Sequence, residues 1–240
     1  ERLLHLIKLC EDQQLDFMIV PDLLELMTTQ VAANAIDGLP LLGFRQSRLT
    51  GSAAVVKRLV DIVLSSIALV VVSPLLLTVA VLIKLAMPGP VLFTQERIGR
   101  FGHPFIIVKF RTMIVDAEAS TGPLVATPGD SRVTGLGRLL RKLSLDELPQ
   151  LFNIFNGDMS LVGPRPPLPR EVAQYEDWMM ARLEVRPGIT GLWQVSGRSE
   201  LPFEDYVRLD LFYIENWSLA YDLFILAKTV PTLATARGAH

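Results

Sequence analysis

The chain has 240 residues, with 23 Lys and Arg against 25 Asp and Glu, a net charge of -2 and a pI near 6.0. It therefore lacks the basic excess that a nucleic-acid binder shows on its binding face. A single cysteine, Cys10, excludes an internal disulfide, and His5, His103 and His240 lie too far apart in sequence to form a local metal motif. The hydrophobic content of 50% and the mean hydropathy of +0.37 are high for a soluble domain.

Residues 1–50 read as a helix around Leu3, Leu4 and Ile7, a short strand in "DFMIVP", a helix in "DLLELMTTQVAA" and a strand or hairpin arm in "IDGLPLLGF". Some fifty residues do not easily bury a core alone. The segment is expected to be the end of an upstream α/β domain, and the start at Glu1 inside a helical pattern suggests a fragment of a longer protein. The polar stretch "RQSRLTGSAA" puts the boundary near residues 45 to 54.

From Ile62 to Ile83 there is no charge. At about 1.5 Å per residue this run could just cross a ~30 Å hydrocarbon core. Pro74 falls near its middle, where it removes an amide donor and its ring meets the carbonyl four residues back, and Ser73 can satisfy a freed backbone group. Lys57 and Arg58 precede the run, and Lys84, Arg97 and Arg100 follow it, which favours keeping both ends on the cytoplasmic side. A helix that enters, kinks at Ser73-Pro74 and leaves by the same face fits both facts; a spanning helix with a tolerated proline remains the other reading.

Beyond residue 90 the pattern is mixed α/β: strands in "VLFTQERIG" and "PFIIVKFRTM", helices in "RVTGLGRLLRKL" and "LDELPQLFNIF", and an apolar C-terminal helix in "YDLFILAKTV" that suits either an interface or a core. Within "LSLDELPQLFN", Ser144 and Glu147 fit a capping box at a helix start. The adjacent acids Asp146 and Glu147 could also do chemistry. Around them "KFRTM", "GRLLRKLSLDE", "GDMSLVGPRPP" and "VRPGITG" set cations beside glycines and prolines, as a phosphate site requires. In such a setting a carboxylate can attack phosphorus or hold Mg²⁺. No Walker A or dinucleotide fingerprint occurs.

The order "KRLVD", apolar run with Ser-Pro, "FTQERIG", "VKFRTM", "LRKLSLDELPQLFNIFNGDMSLVGPRP", "RPGITGLWQVSGR" and "LDLFYIENWSLAYDL" resembles the bacterial sugar transferases, or monotopic phosphoglycosyl transferases, over about residues 55 to 230. The resemblance implies transfer of a sugar-1-phosphate from a UDP-sugar to a polyprenyl phosphate, usually undecaprenyl phosphate, releasing UMP and starting capsule, O-antigen or exopolysaccharide assembly. It implies Asp146 as nucleophile, Glu147 as ligand of a Mg²⁺ cofactor, and Lys109, Arg111, Arg141, Arg165 and Arg186 as phosphate or nucleotide contacts. Ser73-Pro74 matches the kink of the family's re-entrant helix. The fold so implied is a mixed, helix-rich α/β monotopic membrane protein. Its parts would be a remnant of a Rossmann-like regulatory domain (1–50), a re-entrant helix-break-helix (55–88) and a catalytic domain with interfacial helices (89–240). The expected place is the cytoplasmic face of the bacterial inner membrane, with homodimerisation of the full-length protein left open. A membrane-anchored phosphohydrolase and a non-catalytic scaffold of polysaccharide assembly are the alternatives.

Overall fold

The computed structural model describes residues 32–36, 39–43, 49–115, 117, 130–196 and 202–234. The chain separates into two compact units, Glu1–Arg45 and Gln46–His240. In the first, β1 (Ala32–Ile36) pairs antiparallel with β2 (Leu39–Gly43), Ala32 opposite Gly43 and Ile36 opposite Leu39. The helix expected in "DLLELMTTQVAA" was to include Ala32 and Ala33, but both lie in β1. Cross-strand pairing there outweighs the helix preference of alanine, as tertiary context commonly does. The elements expected in residues 1–31 lie outside the described residues.

The second unit opens with α1 (Gly51–Ala86), 36 residues and about 54 Å long at the helical rise. The helix runs through Pro74 without a non-helical residue between Gly51 and Ala86. Pro74 has no amide to offer the Val70 carbonyl, and the Ser73 hydroxyl donates to that carbonyl at 2.8 Å instead. One face of α1 serves the core along its whole length. Ala53 packs with Leu49, Val162, Tyr213 and Ile225; Ala68, Leu69 and Val72 pack with Ile107, Leu151, Ile154 and Met159; Val79, Ile83 and Met87 pack with Phe110 and Leu140. The other face is apolar and uncovered: Val55, Leu59, Val63, Ile67 and Val71 form an i, i+4 stripe, and Val70 and Val71 keep 75% and 71% of their surface exposed.

Polar ties fix the start of α1. The Lys57 ammonium meets Asp222 Oδ2 at 2.6 Å in a buried pair, and Asp222 also accepts from the Tyr213 hydroxyl (2.7 Å) and Trp217 Nε1 (3.1 Å). Asp61 accepts from the Leu161 amide at 3.0 Å.

After α1, β3 (Leu92–Ile98) and β4 (Pro104–Phe110) form an antiparallel hairpin, with Phe93 opposite Lys109. Helix α2 (Gly135–Lys142) starts at Thr134, whose hydroxyl accepts from the Gly137 amide at 3.0 Å. Gly137 lets α2 touch the strand side: a Cβ there would lie 2.0 Å from the Thr112 carbonyl oxygen. Helix α3 (Gln150–Asn156) ends at Gly157, whose φ of 101° makes the left-handed turn that favours glycine. Strand β5 (Ser160–Val162) runs parallel to β6 (Gly188–Thr190), with the short helices α4 (Pro169–Val172) before and α5 (Leu192–Val195) after β6. Helices α6 (Phe203–Glu215) and α7 (Leu219–Ala234) close the unit. The buried Arg182 fork donates twice to Asp210 Oδ2, at 2.6 and 3.0 Å, and so ties the turn of 3₁₀ helix at Asp177–Glu184 to α6.

Candidate active site

Asp146 and Glu147 lie on a single 3₁₀ turn, Leu145–Glu147, between α2 and α3. The capping box expected of Ser144 and Glu147 does not form. Ser144 adopts a left-handed φ of 53°, and its hydroxyl caps nothing. Glu147 instead pairs with Lys109 of β4, at 2.6 Å between Oε1 and Nζ. A left-handed serine costs backbone energy, and such strain persists where surrounding structure overrules it. Here the chain must turn from α2 into α3 while presenting two acids to β4.

Asn153 makes the presentation rigid. Buried in α3, it accepts from the Val108 amide at 3.1 Å and donates to the Ile106 carbonyl at 2.7 Å, pinning α3 to β4 beside Lys109. Arg141, from the last turn of α2, donates through Nε to the Thr112 hydroxyl at 2.8 Å, so its position depends on the α2–Thr112 approach that Gly137 permits.

The two carboxyls differ in proton affinity. Burial and then the neighbouring Glu147 push Asp146 up to about 6, against the pull of Lys109 and Arg141. Burial also pushes Glu147 up, but the Lys109 charge and hydrogen bond, with Arg165, outweigh it and hold Glu147 below the usual carboxylate range. Side-chain exposures of 35% for Glu147 and 25% for Lys109 leave the pair open on one side. One acid is therefore a permanent anion, and the other sits at the edge of ionisation beside cations. This splitting of two neighbouring acids is a mark of a reactive site.

Of the other residues singled out in the sequence, Lys109, Arg141 and Arg165 surround the dyad electrostatically, and Arg165 also reaches Glu171 at 3.4 Å. Arg111 points elsewhere: it is buried, donates to the Met87 carbonyl beyond α1 at 3.2 Å, and leaves Nε and Nη1 without a partner. Arg186 donates to the Gly157 carbonyl at 2.7 Å, beyond the far end of α3, and lines a cleft with Arg58 and Arg100 rather than joining the dyad. Sequence reasoning missed Gln150 and Asn153. Gln150 is buried and close enough to Glu147 to favour its charged form, although its Nε2 completes no hydrogen bond. The spacing was a usable signal, since Gln150 and Asn153 follow Asp146 by four and seven residues, on one helical face.

Among the described residues no group of three or more His, Cys, Asp and Glu side chains could hold a metal. A divalent ion here would rest on the dyad alone. That suits Mg²⁺, which is commonly held by one or two carboxylates with substrate phosphates and water as its other ligands.

Residues 52–236 match the bacterial sugar transferase family. The chain belongs to that family. It is 41% identical over 198 residues to the exopolysaccharide production protein ExoY of Rhizobium meliloti, covering 77% of this chain and 88% of that protein. It is 41% identical over 227 residues to the UDP-glucose:undecaprenyl-phosphate glucose-1-phosphate transferase of Klebsiella pneumoniae, and 38% identical over 214 residues to the undecaprenyl-phosphate galactose phosphotransferase of Salmonella typhimurium. These alignments cover 91% and 83% of this chain but 49% and 45% of those proteins, so the sugar transferase spans about half the length of its larger relatives.

Proposed function

We propose that this sugar transferase moves a sugar-1-phosphate from a UDP-sugar to a polyprenyl phosphate such as undecaprenyl phosphate, releasing UMP. The observation that carries the reading is the split dyad, Asp146 raised and Glu147 lowered, set among Lys109, Arg141 and Arg165. Relatives named for undecaprenyl-phosphate sugar transfer support the substrate class.

In the first step an Asp146 carboxylate oxygen forms a bond to the β-phosphorus, and the bond from that phosphorus to the bridging oxygen breaks, its electron pair leaving with UMP. In the second, a phosphate oxygen of the polyprenyl acceptor attacks the same phosphorus, and the bond to Asp146 breaks to restore the carboxylate. Lys109, Arg141 and Arg165 hold phosphoryl oxygens and the charge that develops on them. Glu147, kept ionised, would hold Mg²⁺, which when bound would neutralise diphosphate charge.

Both ends of α1 pack into the same unit, through Ala53 and through Ile83 and Met87, which supports a helix whose two ends stay on one membrane face. Labelling Ala54→Cys and Pro90→Cys from each side of the membrane, in a Cys10→Ser background, tests this; labelling from opposite faces refutes it.

The reaction is tested by quenched UMP release. Without acceptor, UMP is expected in a burst of about one per site, with the mass of a sugar phosphate appearing on Asp146. Asp146→Asn abolishes both. A burst-free time course with intersecting double-reciprocal lines refutes the two-step route, and steady sugar-phosphate release to water without acceptor marks a phosphohydrolase.

A further inference from the structure

A second cationic cleft lies at the first turns of α1, apart from the dyad. Its walls include Ala54, Lys57, Arg58, Arg100, Ser160 and Arg186. Three arginines from distant parts of the chain meet there. Arg58 donates through Nη1 and Nη2 to the Ile154 and Phe155 carbonyls at the end of α3, at 2.6 and 2.7 Å. Arg186 uses Nε on the Gly157 carbonyl, and Arg100 uses Nε on the Glu184 carbonyl at 3.0 Å while lying over the Phe101 ring. Capping carbonyls thus occupies only part of each guanidinium. The forks of Arg100 and Arg186 remain open, and among the described residues none of the three arginines forms an ion pair.

Nearby acids do not cancel this charge. Asp222 neutralises Lys57, leaving Asp61, which lines the cleft and holds the Leu161 amide, and Asp158, which lies near Arg58, against three arginines. Burial and then Arg186 lower the proton affinity of Arg100, which places these like charges within each other's field. Ser160 gives an independent sign. It is fully buried on the wall of the cleft, and its hydroxyl has no hydrogen-bond partner. A buried orphan hydroxyl beside unspent guanidinium donors calls for an oxygen-rich anion.

Size and place restrict that anion. The space at the floor of this open cleft is about 20 Å³, enough to receive a phosphate oxygen. The cleft shares its turns of α1 with the uncovered residues Val55 and Leu59, which are 60% and 58% exposed. A phosphate at Arg58 can thus be continuous with acyl chains along that apolar stripe. We propose that Arg58, Arg100, Arg186 and the Ser160 hydroxyl bind the phosphodiester of an anionic phospholipid, a site separate from the catalytic dyad. The proposal rests on the reading that α1 enters the membrane, and not on the transfer chemistry. Basic pockets beside membrane helices on the cytoplasmic side suit such headgroups.

The test uses the full chain with vesicles of phosphatidylcholine alone or mixed with phosphatidylglycerol. It compares the unmodified protein with Arg100→Gln, Arg100→Gln/Arg186→Gln and Lys84→Gln; the last removes an exposed cation at the opposite end of α1. Arg100→Gln is expected to cut the phosphatidylglycerol-dependent gain in binding about fivefold and the double variant further, with Lys84→Gln losing less than twofold. Native mass spectrometry of detergent-extracted protein should show one tightly held phosphatidylglycerol that the double variant loses. Equal losses for Arg100→Gln and Lys84→Gln, with no retained lipid, overturn the proposal in favour of diffuse surface attraction. Displacement of the retained lipid by millimolar inorganic phosphate overturns it in favour of a free-phosphate site. UMP release by Arg100→Gln in detergent should match the unmodified protein. Loss of the burst in all proteins would refute the transfer reading while leaving the lipid result standing.

Discussion

Gly137→Ala is the sharpest available test of how the fold builds the active site. The new Cβ would lie 2.0 Å from the Thr112 carbonyl oxygen and 2.7 Å from its carbon, contacts that are backbone and cannot rotate away. To reach ordinary contact at 3.4 Å or more, α2 must retreat from Thr112 by about 1.5 Å, a strain of the overpacking kind costing about 1–3 kcal/mol. For a domain of this size the melting temperature should fall by about 4–8 °C for a cost of 2 kcal/mol. The same movement stretches the 2.8 Å bond from Arg141 Nε to the Thr112 hydroxyl, and a 1 Å misplacement of a phosphate-holding group can cost about a hundredfold in rate. Gly135→Ala is the matched control, since nothing lies within 4 Å of a Cβ there. Thermal unfolding and burst-phase UMP release should both separate the two alanines. Equal behaviour would show that α2 yields freely and that its approach to Thr112 does not place Arg141.

Asp146→Asn should be more stable than the unmodified protein at pH 7.5, by about 1–2 kcal/mol after solvent screening, and lose that advantage near pH 4. With the native carboxyl raised to about 6, ionising it costs stability as pH rises from the unfolded value through 6. In the proposed reaction the charged form attacks, so kcat/KM should fall about tenfold per pH unit below that value; a profile flat to pH 5 would contradict it. Ser73→Ala leaves the Val70 carbonyl without its donor and should cost about 1 kcal/mol in thermal unfolding, with Pro74→Ala recovering the loss. Asp222→Asn removes the partner of buried Lys57 and should destabilise the unit by about 3–5 kcal/mol in denaturant titration.

The β3–β4 hairpin, α2, α3 and the apolar α1 were legible in the sequence because local periodicity and turn residues dictate them. The dyad was legible as a pair of acids set among cations, but its local geometry was misread. Ser144 and Glu147 have capping-box spacing, yet Glu147 has a stronger partner 38 positions away in Lys109, and spacing along one segment cannot register a partner on another strand. Arg186 lies away from the dyad for a related reason. Parallel pairing of β5 with β6 sets the "RPG" turn against Gly157, beyond the end of α3 away from the dyad, and a long-range register of that kind leaves no local trace. The continuity of α1 through Pro74 was half visible. Ser73 was seen as a rescuer of freed backbone, but that its hydroxyl would take the particular carbonyl orphaned by proline is a matter of rotamer, which composition does not set.

Helix α3 joins these observations into one device. Its first turn follows the dyad, its middle is pinned to β4 by Asn153, and its final carbonyls are held by Arg58 of α1. At seven residues it is only about 10 Å long, too short to bend appreciably, so a displacement at one end must appear at the other. Helix α1, with its uncovered apolar stripe, is thus coupled through Arg58 to the turn that carries Asp146. The proposed reaction between a dissolved nucleotide sugar and a lipid phosphate requires both partners at one phosphorus, and a rigid strut of this length sets the dyad's distance from the apolar stripe of α1. Arg58→Met would keep the apolar contact along the stem but release the carbonyls at the end of α3. It should therefore impair the acceptor-dependent second step more than the UMP burst, and an equal loss in both would show that α3 is positioned by its packing alone.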